Sequence, residues 1–281
     1  MNRVDMEQFK ANILAIYGAV GKNWLESLPE LLTQIAGQWN LTDLDPLTNL
    51  SFNYVLKGYQ GNQAVILKLS LDLDQLEHEF HTLECFSAYG GVKVLNYQSG
   101  ALLLESIEPG YTLKDYVADD LSKIRLCCQL VQQLHQAPLP DLHQFPLFQD
   151  DLTILERAWS LPEIYLLKAR TLKNELLNAN CNEQMVLLHA DLHHANILRN
   201  NTGWRIIDPK GLIGLPINEM WAFVMDVEKD TQFIADFFKY EVLFVRKWYF
   251  VHVMLAACWN LEGNLSPELF LNLAIKTDQL I

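Results

Sequence analysis

The sequence predicts an α+β protein of two lobes: a small lobe with a mixed β-sheet in residues 1–106 and a mostly helical lobe in residues 107–281. Short apolar runs separated by glycine-containing turns lie between residues 51 and 105, which is typical of strands. Beyond residue 120, apolar residues recur every three to four positions, which indicates helices. With 281 residues, half of them hydrophobic, the chain is long enough to bury a substantial core.

Helices and then strands are expected in the first lobe. Phe9 and Ile13 begin a helical pattern that continues through the first forty residues. The runs FNYVLK and QAVILKL flank residues 58–62, which include two glycines, and this arrangement predicts a β-hairpin. A helix with apolar residues at 76, 80, 83 and 86 follows, and the runs VKVLNYQ and ALLLES complete the lobe as two further strands.

The second lobe is predicted to be helical, with one exception. Helices are expected at 121–136, 150–158, 162–180, 218–238, 241–261 and 267–280. Between the third and the fourth lies MVLLHADLHHANILRNNTGWRIIDPKG, in which polar residues alternate with short apolar strands. Because such polar residues are costly to bury unless they serve a purpose, this stretch is the candidate for function.

Composition excludes several classes of partner. There are 21 Lys and Arg against 34 Asp and Glu, which gives a formal net charge of −13. This charge repels nucleic acids and anionic membranes. It either favours a cationic ligand or serves solubility alone.

The five cysteines, Cys181 among them, form no CxxC pair. The apolar stretch 248–259 is shorter than the roughly 20 residues of a membrane span, and the N-terminus has no signal-peptide core. We therefore expect a cytoplasmic protein.

Residues 189–211 hold polar side chains at a spacing suited to phosphoryl transfer. Asp191 follows an apolar run, Asn196 comes five residues later, and Asp208 comes twelve residues after that. Phosphoryl transfer needs a base for the attacking hydroxyl and oxygen ligands for the Mg²⁺ that holds the phosphates. Asp191 fits the base, and Asn196 and Asp208 fit the magnesium ligands. The alternative is that Asp191 and Asn196 form an ordinary turn.

Lys68 lies among apolar neighbours in the second strand of the predicted hairpin. It is either an outward-facing surface residue or the cation that clamps the α- and β-phosphates of ATP, paired with a carboxylate on the following helix. Glu79, eleven residues later, is the candidate partner, and Glu77 is the alternative on another side of that helix.

A zinc site is a rival interpretation of the same stretch. His189, Asp191, His193 and His194 crowd six positions, and on a strand the first three would face one way. A zinc site would leave the amide and the second carboxylate without a role, so phosphoryl transfer is favoured. His189 is then a core histidine that braces the loop by hydrogen bonding.

Acidic residues follow at Glu219, Asp226, Glu228, Asp230 and Asp236. They form either a solvated helix face or a wall that binds an amine or guanidinium group of a substrate. Glu219 and Asp226 are seven positions apart and would share one face of the predicted helix, so these two are the candidate substrate residues.

The run HADLHHANIL followed by IDPKG resembles the aminoglycoside phosphotransferase family, and within it the streptomycin 6-phosphotransferase and hydroxyurea-type resistance kinases. LLLESIEPG at 102–110, WLESLPELL at 24–32 and KWYFVHVMLAACWNLE at 247–262 extend the resemblance over nearly the whole chain from about residue 20.

The resemblance implies a bilobal protein-kinase-like fold with ATP and Mg²⁺ as cofactors. It implies the same roles for the base, the magnesium ligands and the Lys68–Glu79 clamp, and it adds Glu105, Ser106 and Ile107 as a hinge whose backbone meets adenine. Ala190 and Ala195 stand where the family usually has glycine, and alanine fits there if φ is negative.

The expected activity is ATP- and Mg²⁺-dependent phosphoryl transfer to a hydroxyl group of a small molecule. The acceptor most suggested by the resemblance is an aminoglycoside such as streptomycin. The alternatives are a kinase of an ordinary metabolite alcohol and a nucleotide-binding regulator with little catalysis.

Overall fold

The computed structural model describes residues 3–48, 50–116, 119–141, 145–179 and 184–281. In chain order the elements are α1 (Arg3–Trp39), β1 (Leu41–Pro46), β2 (Tyr54–Gln60), β3 (Gln63–Leu69), α2 (Leu73–Phe86), β4 (Val94–Gln98), β5 (Ala101–Glu105), β6 (Pro109–Thr112), α3 (Asp120–Leu134), α4 (Phe148–Asp151), α5 (Glu163–Ala179), β7 (Val186–Leu188), β8 (Ile197–Asn200), β9 (Trp204–Ile206), β10 (Leu212–Gly214), α6 (Val227–Phe238), α7 (Val242–Glu262) and α8 (Glu268–Asp278). Short 3₁₀ turns occur at Leu152–Glu156, His194–Asn196, Pro216–Glu219 and Trp221–Phe223.

The chain forms two compact units, and neither is a single continuous piece of chain. Unit 1 contains residues 1–87, 91–111 and 198–207, and unit 2 contains the rest. The predicted lobe boundary after residue 106 stays a prediction, but in this division residues 88–90 belong to unit 2, and residues 107–111 and 198–207 belong to unit 1. There the backbone N–H of Val92 donates to the carbonyl of Ile206 at 2.9 Å, and Ile207 packs against a buried apolar cluster that includes Leu76.

Unit 1 is built on a five-stranded antiparallel sheet in the order β1-β2-β3-β5-β4. The predicted hairpin is present as β2 and β3, but its turn is tighter than expected, because Gln60 pairs with Gln63. Gly58 lies within β2, where a Cβ atom would come 2.8 Å from the carbonyl oxygen of Thr42 in β1. The glycine therefore lets the unpredicted edge strand β1 approach.

Helix α1 consists of two helices joined at Gly18, whose φ of 53° and ψ of −125° are outside the helical region and suit glycine alone. Phe9 and Ile13 on the first part are fully buried against the sheet. Ile16, in contrast, is largely exposed. The predicted helical start of the chain is thus observed as a kinked pair whose inward face is narrower than the apolar pattern suggests.

In unit 2, α7 forms much of the core: residues 248–258 are all buried. Among the described residues it is the one helix long and apolar enough to cross a membrane, and two-thirds of its apolar window is buried in the fold, as expected for a core helix. Cys127, Cys128 and Cys258 are free, buried thiols, whereas Cys181 lies outside the described residues.

Candidate active site

The functional stretch predicted from the sequence lies at one end of the β7–β10 ribbon. Leu188, the last residue of β7, pairs antiparallel with Leu212, the first residue of β10. Just beyond this pair, the backbone N–H of Lys210 donates to the carbonyl oxygen of His189 at 2.9 Å. The register therefore brings the segment before β10, which holds Asp208, alongside the loop that holds Asp191.

Side chains of the loop itself hold the backbone around Asp191. The buried ring of His189 accepts the N–H of Asp191 at Nδ1 (3.2 Å), which confirms the expected bracing histidine. The amide nitrogen of Asn196, which is 8% exposed, donates to the carbonyl oxygen of Asp191 at 3.0 Å. Both bonds fix the backbone and leave the Asp191 carboxylate, whose side chain is 35% exposed, for other partners.

The rival zinc arrangement does not form. Residues 189–193 follow the end of β7 in a loop and are not on a strand, and Nδ1 of His193 accepts the N–H of Ala195 at 3.2 Å. Within the part of the chain that the structure describes, no three His, Cys, Asp or Glu side chains are placed to hold a metal ion.

Oxygen ligands of the kind Mg²⁺ prefers are nevertheless available. Because the amide nitrogen of Asn196 is used in the bond to Asp191, its amide oxygen is the atom that remains for a cation. Asp208, with a φ of 58°, supplies a carboxylate. An amide oxygen and a carboxylate fit a magnesium ion better than a zinc ion, for which nitrogen and sulfur ligands are typical.

The carboxylate of Glu219 supports the same loop by accepting hydrogen bonds from its backbone. Its side chain is buried, and its carboxylate accepts the backbone N–H groups of His189 (2.6 Å) and Ala190 (3.1 Å). Nε2 of His135 lies 3.9 Å from the same carboxylate. Two backbone hydrogen bonds to one buried carboxylate fix the start of the loop directly before Asp191.

The prediction that Glu219 and Asp226 share an acidic helix face is wrong. The predicted helix 218–238 begins only at Val227, and Asp226 caps its N-terminus by accepting the N–H of Lys229. Glu219 ends a 3₁₀ turn. The hydrogen bonds of the two side chains to the backbone, and not a helical repeat, determine where they lie.

A buried imidazole supports the turn that carries Glu219. Nε2 of His252 on α7 lies 3.3 Å from the amide nitrogen of Asn218, whose oxygen accepts the N–H of Leu215 at 3.1 Å. Complete burial lowers the pKa of His252 to about 3, so the ring is neutral at pH 7 and accepts a hydrogen bond from the amide. The core helix is therefore linked through this turn to the loop of Asp191.

Ala190 has a φ of +65°, a conformation that costs an L-residue with a Cβ atom free energy. The condition under which alanine fits, a negative φ, is not met at this position, whereas Ala195 lies in a 3₁₀ turn and needs no glycine. The buried Glu219 carboxylate accepts the Ala190 N–H and so helps to hold the strained conformation.

We expect Ala190→Gly to raise the free energy of unfolding by about 0.5 kcal/mol, because left-handed alanine costs about 1–2 kcal/mol and the extra freedom of glycine in the unfolded chain cancels only part of that gain. Urea denaturation measures this difference. Ala195→Gly is the matched control and should lower stability. If both variants are less stable than the parent by the same amount, Ala190 is not strained.

In unit 1, Nζ of Lys68 lies 2.6 Å from Oε2 of Glu79, and both residues are almost fully buried. Glu77 is on the exposed side of α2, near His81. Burying a charged pair is costly, so the position of Lys68 differs from that of an ordinary surface lysine.

The predicted hinge residues lie at the end of β5 and directly after it. The backbone N–H of Glu105 donates to the carbonyl oxygen of Lys93, and the backbone N–H of Ser106 donates to the carbonyl oxygen of Ala64. Ile107 packs against the buried apolar cluster that includes Leu76.

Comparison with known proteins identifies the chain. The sequence model of the aminoglycoside/hydroxyurea antibiotic resistance kinases matches residues 42–236. The chain belongs to this family. The resemblance seen in the sequence is thereby confirmed, and membership places the protein among small-molecule kinases.

Among the relatives of this family member are two streptomycin kinases. A streptomycin 3″-kinase of Klebsiella pneumoniae is 29% identical over 188 residues, which are 63% of this chain and 66% of that protein. A streptomycin 6-kinase of Streptomyces glaucescens is 27% identical over 228 residues, which are 76% of this chain and 72% of that protein. The chain thus aligns with about two-thirds of the length of these relatives.

Solved structures confirm the protein-kinase-like fold of this family member. Choline kinase LicA from Streptococcus pneumoniae has a TM-score of 0.65 at 15% identity, covering 90% of this chain and 98% of that one. The aminoglycoside phosphotransferase APH(3″)-Id from Streptomyces rimosus, in complex with ADP and streptomycin, has a TM-score of 0.58 at 16% identity, covering 80% of this chain and 97% of that one.

Proposed function

We propose that this family member transfers the γ-phosphoryl group of ATP to a hydroxyl group of a cationic small molecule, with Asp191 as the base. The observation that carries the proposal is the environment of Asp191. His189, Asn196 and Glu219 fix the backbone of its loop by hydrogen bonds, while its own carboxylate remains about one-third exposed. A fixed backbone with an accessible carboxylate suits a general base.

In the proposed reaction, the acceptor hydroxyl donates a hydrogen bond to the carboxylate of Asp191. The hydroxyl oxygen attacks the γ-phosphorus in line, the bond from that phosphorus to the leaving ADP oxygen breaks, and the hydroxyl proton passes to Asp191. Asn196 and Asp208 are the residues that would hold Mg²⁺, which neutralises phosphate charge when it is bound.

Lys68 is assigned to the α- and β-phosphates of ATP, with Glu79 as its ion-pair partner. The buried 2.6 Å contact between them supports this assignment, since a charged lysine needs such a partner to remain charged when buried. Adenine is assigned to the backbone of Glu105, Ser106 and Ile107. Because the first two N–H groups already donate within unit 1, carbonyl oxygens and the N–H of Ile107 are the groups proposed to meet the base.

Streptomycin is the proposed acceptor. The support is the streptomycin kinases among the relatives and the net charge of −13, which favours a polycationic acceptor over an anionic one.

Transfer of labelled phosphate from ATP to a panel of acceptors tests the proposal. The panel contains streptomycin, hygromycin B, choline and ethanolamine, each with Mg²⁺, and Asp191→Asn provides the background. We expect transfer to streptomycin. If phosphate is transferred to choline or ethanolamine and not to streptomycin, the acceptor is a metabolite alcohol and not the drug. Binding of ATP without transfer to any acceptor would overturn the kinase proposal in favour of a regulator.

A further inference from the structure

Three contacts fix the position of Lys210, a residue to which the sequence analysis gave no role. Its backbone N–H donates to the carbonyl oxygen of His189, which ties its main chain to the start of the Asp191 loop. Its Nζ lies 3.6 Å from Oδ2 of Asp191. The same Nζ lies 6.0 Å from the centre of the Trp259 ring on α7. The amine is therefore held between the proposed base and the aromatic face.

Stability does not explain why this lysine lies beside Asp191. The Lys210 side chain is 51% exposed, and an ion pair so open to solvent contributes at most about 1 kcal/mol to folding. The charge of Lys210 also acts on Asp151: burial raises the pKa of that carboxyl, and the charge of Lys210 acts in the opposite direction. A half-exposed cation thus lies between a carboxylate and a tryptophan, next to the group proposed to bind the reacting hydroxyl.

We propose that Lys210 is a catalytic residue whose amine contacts the transferring phosphoryl group while Asp191 holds the acceptor hydroxyl. This proposal rests on the proposed function. An attacking oxygen bound to Asp191 lies about 2.6–3.2 Å from its carboxylate, and the phosphorus lies about 3–3.5 Å farther on. An amine 3.6 Å from the same carboxylate can reach an oxygen of that phosphoryl group.

The charge of Lys210 matters most in the transition state. Negative charge is then spread over the three equatorial oxygens of the phosphoryl group, and a fixed cation beside them lowers the barrier. No proton moves to or from Lys210 in this step. The bond from the acceptor oxygen to phosphorus forms, the bond to the ADP oxygen breaks, and the proton goes to Asp191. Trp259 limits the directions in which the amine points and so reduces the ordering cost at the moment of transfer.

Lys210→Met tests the role, with Lys210→Arg as the conservative variant and the exposed Lys276→Met as the matched control. We expect Lys210→Met to lower kcat about 100-fold, with the KM for ATP and the Tm close to those of the parent. Lys210→Arg should restore part of the loss, and Lys276→Met should change nothing. Trp259→Leu should lower kcat less than Lys210→Met does.

A binding measurement gives a second readout that does not depend on turnover. ADP, Mg²⁺ and tetrafluoroaluminate together imitate the transferring phosphoryl group, and calorimetry compares this mixture with ADP and Mg²⁺ alone. Lys210→Met should lose the gain in affinity that the fluoride complex gives the parent and should keep the affinity for ADP.

Two outcomes overturn the role of Lys210 while the proposed function stands. In the first, the parent enzyme transfers phosphate and Lys210→Met keeps its kcat within threefold. In the second, only the KM for ATP rises, which makes the lysine a ground-state nucleotide contact. A parent enzyme that binds ATP and transfers no phosphate to any acceptor overturns the proposed function itself, and with it the role of Lys210.

Discussion

Asp191→Asn is expected to lower kcat by about 1,000-fold or more, because a general base contributes about 10²–10⁴ to the rate. Asparagine has the same shape but cannot accept the hydroxyl proton at neutral pH. The bonds that fix the loop use the backbone N–H and carbonyl of residue 191, so the variant should keep the parent's fold and its affinity for ATP. Steady-state kinetics with the best acceptor of the panel, together with thermal unfolding, measure both effects.

Asp74→Asn is the matched control for this charge removal. Asp74 is exposed in the first turn of α2 in unit 1, and no part of the proposed reaction involves it. Its kcat should equal that of the parent. If Asp191→Asn retains more than a tenth of the parent kcat, Asp191 is not the base.

Glu219→Ala is expected to have the largest effect on stability, about 3 kcal/mol, because it leaves two backbone N–H groups in a buried site without the carboxylate that accepts them. For a chain of this size, the Tm should fall by about 8 °C. We also expect kcat to fall about 10- to 100-fold, since Ala190 and the loop after it lose their support and small displacements of a base are costly.

Glu219→Gln separates the two effects. Glutamine keeps the size and one acceptor oxygen but places an N–H₂ group where His189 and Ala190 present donors, so it should be less damaging to stability than alanine and still lower kcat. Glu228→Ala, at an exposed site on α6, is the control. A Glu219→Ala protein with the parent Tm would show that the carboxylate does not hold the loop.

The helices with strong apolar periodicity were predictable. The observed α3, α5, α7 and α8 begin and end within two residues of the ranges predicted from the sequence, because each buries one face or, for α7, nearly all of its central residues. The spacing of Asp191, Asn196 and Asp208 predicts a functional stretch, since polar residues between apolar strands are rare without a purpose, and the assignment of these three residues stays a prediction.

The rest depended on contacts between distant residues. Strand β1, with the sequence LTDLDP, contains residues that are uncommon in strands, and it forms by pairing with β2 at an edge. A 3₁₀ turn that begins at Pro216 and ends at Glu219 occupies the start of the predicted helix 218–238. Bonds from Asn218 and Glu219 to the backbones of Leu215 and His189 hold this turn. A local sequence pattern does not predict a hydrogen bond such as that between His189 and Glu219, which are thirty positions apart.

Lys210 was missed for a related reason. In the sequence it stands in a Pro-Lys-Gly turn that looks like a connection between strands. The one sequence feature that could have pointed to a role for Lys210 is its position two residues after Asp208, a predicted magnesium ligand. The β7–β10 register, which the sequence does not reveal, turns its amine towards Asp191.

The contribution of residues 198–207 to unit 1 has a consequence for how the protein is made. The backbone N–H of Val92 can form its hydrogen bond only after Ile206 has emerged from the ribosome. The apolar cluster that includes Leu76 is fully covered only after Ile207 has emerged as well. By then residues 112–197 have also been synthesised. The N-terminal unit therefore completes its fold only after the part of unit 2 that precedes residue 198 has been made.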